Sequence, residues 1–163
     1  MKREAGFTLF EMLVAMAVGG VLLAGLVSGI FQILYGVGQV KTKSIAIADI
    51  ESAAHWIVRD VVMGQNTNLV DGAPAVSQMS LSWTDYTEWA KQEPSASHSA
   101  NYTYSGTQLV RNYDGVATTI GRYLTRVEFS RSGNRITVTL TSSPEGDPRT
   151  AVTRTYRLLM RGQ

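Results

Sequence analysis

The chain reads as an α+β protein, with one long N-terminal helix packed on an antiparallel β-sheet. Three observations predict this. Uncharged, mostly apolar residues run from Met12 to Val40. A pattern with the period of a helix then continues to about Gly64. From Asn101 onward apolar and polar residues alternate, with Gly-containing turns between the runs. Such alternation is the signature of strands with one buried and one wet face.

The first element is expected over residues 7–38. A bilayer core of ~30 Å needs about 20 helical residues, and the apolar run exceeds that. Lipid leaves the backbone no partner outside the helix itself. Residues 1–6 form a short basic leader with Lys2 and Arg3, which should stay cytoplasmic by the positive-inside tendency. Lys41 and Lys43 lie on the far side and blur that signal. Gly25 and Gly29 make a GxxxG pair, which lets two helices approach closely. The competing readings are a cleaved signal peptide ending at Ala46-Ile47-Ala48 and a plain uncleaved anchor. The uncharged region is about twice a normal signal core, and Glu11 interrupts its entry.

Residues 39–65 are expected to continue the helix as an amphipathic segment. Ile47, Ile50, Ala54, Ile57 and Val61 recur at spacings of three and four and predict one buried stripe. Glu51, His55 and Arg59 follow one another at four-residue intervals on another face. Gly64-Gln65-Asn66 predicts the stop.

Residues 66–163 should form the extracytoplasmic β-rich domain, with a sheet of four to six strands. Met79 to Trp83 alternates, and Trp83, Tyr86 and Trp89 cluster near Asp85 and Glu88. Hairpins are predicted for Tyr102–Tyr104 with Thr107–Arg111, and for Tyr123–Arg131 with Arg135–Thr141. In the second, Ile136, Val138 and Leu140 share one face and Thr137, Thr139 and Thr141 the other. Pro144 to Pro148 is a turn, and Val152 to Met160 is the last strand.

The chemistry-bearing residues are sparse. The chain has no cysteine, which excludes disulfides, thiolate zinc sites and thiol catalysis. His55 and His98 have no ligand or nucleophile partner at a recognisable spacing. No Gly-x-Ser-x-Gly motif and no P-loop is visible. No catalytic residue, no metal and no cofactor is therefore expected, and the chain is not read as an enzyme. Glu145 and Asp147 are too few oxygens for a six- to eight-coordinate calcium site on their own. Net charge is only +2, so no global field argues for a nucleic-acid partner. From Arg111 onward, however, there are nine arginines, no lysine and four acids. Arg131 and Arg135 flank one hairpin turn and are the candidate anion-binding pair, which keeps nucleic acid as the weaker partner expectation.

The start of the chain carries the strongest signal. Gly6, Phe7, Thr8, Leu9 and Glu11, followed by the apolar run, resemble the cleavage and methylation motif of type IV prepilins and pseudopilins. The resemblance covers roughly the first quarter of the chain. It implies that a membrane-embedded prepilin peptidase cuts between Gly6 and Phe7 and that Phe7 becomes N-methylated. It also implies a single-pass protein of the cytoplasmic membrane with its C-terminal domain outside, later built into a pilus or pseudopilus through its helix. A carboxylate inside an apolar span costs roughly 2.5–3.5 kcal/mol on insertion scales, so Glu11 needs a reason to be there. The expected reason is pairing with the Phe7 amine of a neighbouring subunit. The expected partners are prepilin peptidase, other pilin subunits and, before assembly, membrane lipid. His55 to Val62 and Ser105 to Arg111 look most like a minor pilin or a minor pseudopilin of the J kind. The alternative is an anchored extracytoplasmic module that binds DNA or surfaces without entering a filament.

Overall fold

A computed structural model describes residues 8–85 and 96–161. Helix α1 spans Leu9–Met63 without a break. The chain divides into two compact units, the helix up to Val40 and the residues from Lys41 on. In the first unit every large apolar side chain from Leu9 to Val40 is exposed. This is the one stretch, among the described residues, long and apolar enough to cross a membrane.

In the second unit, α1 buries Thr42, Ala46, Ile50, Ala53, Ala54, Ile57, Asp60 and Val61. The stripe differs at its start from the one read in the sequence. Ala46 is buried while Ile47 is 39% exposed, since Ala46 continues the row of Ile50, Ala53 and Ile57 at spacings of four and three on one helix face. Gly64 ends the helix, its N–H donating to the Asp60 carbonyl at 2.8 Å. A β-carbon there would lie 3.3 Å from Leu81 Cδ2, so helix end and sheet approach closely.

Eight strands follow: β1 Asn66–Thr67, β2 Gln78–Asp85, β3 Ala96–Ser105, β4 Gln108–Tyr113, β5 Val116–Gly121, β6 Leu124–Ser132, β7 Arg135–Ser142 and β8 Val152–Leu159. All neighbours pair antiparallel. They form two sheets, β1-β2-β3-β4-β5 and β6-β7-β8, rather than the single sheet of four to six strands expected. The α+β class stands, with the helix packed against antiparallel sheets. One core joins Ile50, Ile57 and Val61 of the helix to Leu81, Tyr102 and Leu109 of the first sheet and Phe129, Ile136 and Leu140 of the second.

The division between sheets has a local cause. At the β5–β6 corner the Asp49 carboxylate accepts the Arg122 and Tyr123 N–H groups at 2.8 and 3.1 Å. Those two donors are thereby turned to the helix instead of continuing a strand. Gly121 lets the corner close, since a β-carbon there would meet Leu124 Cδ1 at 2.6 Å. The predicted strand from Tyr123 accordingly begins one residue later, at Leu124. The Ile136/Val138/Leu140 face is buried as expected. On the opposite face Thr139 and Thr141 lie within hydrogen-bond distance of Thr155 and Thr153.

Candidate functional site

The processing residues Gly6 and Phe7 lie outside the described residues, as do Tyr86, Glu88 and Trp89 of the aromatic cluster. The described chain begins beside them, where Thr8 and Glu11 close on each other. The Thr8 N–H and hydroxyl both donate to Glu11 Oε2, at 2.9 and 3.0 Å. The Glu11 N–H lies 3.3 Å from Thr8 Oγ1. This is a capping box, which satisfies backbone donors that a helix start leaves open. The Thr-x-x-Glu spacing is the sequence signal for it. Glu11 thus has a partner within its own chain. Further along, Gly25 and Gly29 have nothing within 4 Å of where a β-carbon would be.

The densest chemistry of the second unit lies at the helix end. Asp60, 1% exposed, faces Arg111, 6% exposed. Arg111 donates through Nε to Asp60 Oδ2 at 2.6 Å and through Nη2 to Oδ1 at 2.9 Å. The Tyr102 hydroxyl donates to the same Oδ2 at 2.6 Å. Burial pushes the Tyr102 phenol above its ordinary value, and the Asp60 carboxylate adds to that. Burial works against the Arg111 charge, but its bonds to Asp60 outweigh it and hold the guanidinium above its usual range. The Arg111 guanidinium also lies 4.9 Å from the Trp56 ring centre and 4.5 Å from that of Tyr113. Arg59 covers Trp56 at 5.1 Å. Cation and aromatic ring alternate along this column, and each such contact is worth about 0.5–2 kcal/mol.

Beside the column, His98 Nδ1 lies 2.6 Å from Asp114 Oδ2. Asp114 Oδ1 accepts the Ser99 N–H at 2.7 Å. The His98 contact first, and then the Ser99 N–H, hold the Asp114 carboxyl below its ordinary value. The His98 and Tyr113 rings stack at 5.7 Å, and Trp83 packs 6.0 Å from both. The sequence offered His98 no partner because Asp114 is sixteen residues away and reaches it only through strand pairing. The group pins the β4–β5 turn to β3. His55 sits apart on an open groove with Glu51, Arg59 and Tyr156.

The two candidate anion-binding residues are not brought together. Arg131 pairs with Ile136, whose side chain is core-facing, while Arg135 pairs with Ser132 one position on. Paired residues share a face and successive residues alternate, so the two arginines lie on opposite faces. Arg131 Nε donates instead to the Gly133 carbonyl at 2.8 Å. In the β7–β8 loop Glu145 accepts the Thr42 hydroxyl at 3.0 Å, and Asp147 holds Arg149 at 2.9 Å. Among the described residues no group of three or more metal-ligating side chains is assembled.

Residues 1–27 match the family model for the prokaryotic N-terminal methylation motif. The match supports a processed chain of the type IV pilin and pseudopilin kind. It spans residues 1–6, the capping box and the entry of the apolar helix, and stops before the second unit. No curated protein and no solved structure matches the chain significantly.

Proposed function

We propose that the chain is a structural subunit of a type IV pilus or pseudopilus. The observation that carries this is the methylation motif over residues 1–27, set on a helix whose large apolar side chains are all uncovered to Val40. In this reading prepilin peptidase cuts between Gly6 and Phe7, and Phe7 is N-methylated. The helix spans the cytoplasmic membrane and then packs against the helices of other subunits. Uncovered apolar surface on this scale needs either lipid or like helices around it. Gly25 and Gly29 would mark a close helix approach. The methylation motif favours a structural rather than enzymatic role. A minor pilin, or a minor pseudopilin of the J kind, is the finer reading.

Mass spectrometry of the protein from its native host tests the proposal. A mature chain starting at N-methylated Phe7 is expected, and replacing Gly6 by a bulky residue should leave the leader attached. An intact Met1 in the wild-type protein would overturn the processing step and favour a plain anchored module. A chain starting near Asp49 would make it a released secreted protein.

A further inference from the structure

The end of the second unit where the helix enters carries a set of groups that filament assembly does not explain. The uncharged run from Met12 to Val40 is 29 residues, or ~43 Å of helix at 1.5 Å per residue. A hydrocarbon core is only ~30 Å thick, so the excess must be covered, and tilt of the span is the usual remedy. Thr42, two residues past the end of that run, is buried in the second unit. Lys41 and Lys43 flank Thr42 and make no ion pair among the described residues. Glu145 at the same level accepts the Thr42 hydroxyl. About 10 Å further along the helix, seven residues on, Asp49 fixes the Arg122–Tyr123 corner. The Asp49 carboxylate is taken up by two N–H groups and the Ser142 hydroxyl. That leaves the Arg122 side chain without an ion pair among the described residues, and Tyr123 43% exposed. Ile45 and Ile47 are exposed between the two levels. Asp147 and Arg149 neutralise each other.

We propose that this end of the domain, through Lys41, Lys43, Arg122 and Tyr123, docks on the extracytoplasmic headgroups of the membrane that holds the span. The occupant is a surface of anionic phospholipid. Basic side chains contact phosphate, and a tyrosine suits the boundary between apolar and wet layers. The proposal rests on the membrane-span reading above. In the bilayer the docking covers Ile45 and Ile47 until assembly lifts the domain away.

The chain has no cysteine, so single labels can be placed freely. Tyr123→Cys and Asn134→Cys involve residues whose fold contacts run through the backbone. Each full-length variant is labelled with an environment-sensitive fluorophore and reconstituted in nanodiscs of phosphatidylcholine with a minority of phosphatidylglycerol. Some lipids carry a headgroup nitroxide quencher. Carbonate washing of parallel vesicles reports the span alone, and loss of the protein there overturns the membrane reading itself. In protein that stays anchored, docking predicts a blue shift and quenching at position 123 and neither at 134. Lys41→Glu with Lys43→Glu should abolish the quenching at 123 while the protein stays anchored. Equal quenching at both positions, or quenching at 123 that survives the double reversal, overturns the docking.

Discussion

The Asp60 carboxylate receives three hydrogen bonds, one from Tyr102 and two from Arg111. Nothing about position 60 in the sequence announces this, since an acid beside Arg59 on a helix reads as a surface residue. Removing one partner of such a buried pair leaves the other charge uncompensated, at a cost of roughly 3–5 kcal/mol. Asp60→Asn should therefore lower stability by about that much in urea unfolding followed by tryptophan emission. Replacing Asp60 and Arg111 together by apolar residues of similar volume should recover most of the loss. A second prediction concerns acid. The folded Asp114 carboxyl titrates below its ordinary value of 3.8. Its contribution is thus fully present above that value and is lost as pH falls through the lower, folded one. The stability gap between wild type and Asp114→Asn should be open near neutral pH and close in strong acid. Asparagine tolerates the left-handed backbone at this position, φ 48°, so the variant isolates the charge.

At the scale of elements, the β5–β6 corner decides the architecture. Gly121 carries no left-handed backbone. It is needed because Leu124 fills the space a β-carbon would take. Gly121→Ala should cost about 1–3 kcal/mol by overpacking, read as a drop in the urea midpoint. Trimming the obstacle with Leu124→Val should return part of it. Strand β5 itself was missed for a readable reason. Its Asp114-Gly115 turn has both residues at positive φ, and Asp-Gly between strands is a strong hairpin signal. The strand beyond it, Val116 to Gly121, shows no alternation of burial, so the pattern that revealed β2 and β7 was silent there.

At the scale of the whole molecule, the issue is how Glu11 is used. The capping box accounts for the carboxylate within one chain, whereas pairing with a neighbour's Phe7 amine would engage it between chains. An amine about 4 Å from a carboxylate contributes roughly 4 kcal/mol at an effective dielectric of 20. Glutamine also serves in a capping box. Glu11→Gln therefore keeps the helix start and removes only the charge. Cleavage at Gly6 should proceed normally, while recovery in sheared filaments or cross-linked complexes falls. If processed Glu11→Gln subunits enter the assembly like wild type, the intersubunit pair is not needed and the cap alone explains the residue.

The sequence by itself determined the long helix, its apolar half, the class of the domain and most of its hairpins. Those follow from local periodicity: Ile50, Ile57 and Val61 repeat as a helix does, and Ile136, Val138 and Leu140 as a strand does. The methylation motif is local too, so the family resemblance that points to Gly6, Phe7 and Glu11 rests on neighbouring residues alone. Only the tertiary structure decided which distant groups meet. Asp60 finds Arg111 across 51 positions, Asp49 turns the chain at Arg122 across 73, and His98 gains Asp114 through strand register. It likewise set Arg131 and Arg135 on opposite faces, although five residues hold both. The physical reason is that periodicity fixes which way a side chain points within its own element. Burial and hydrogen bonding between elements depend on how those elements pack, and no local pattern records that.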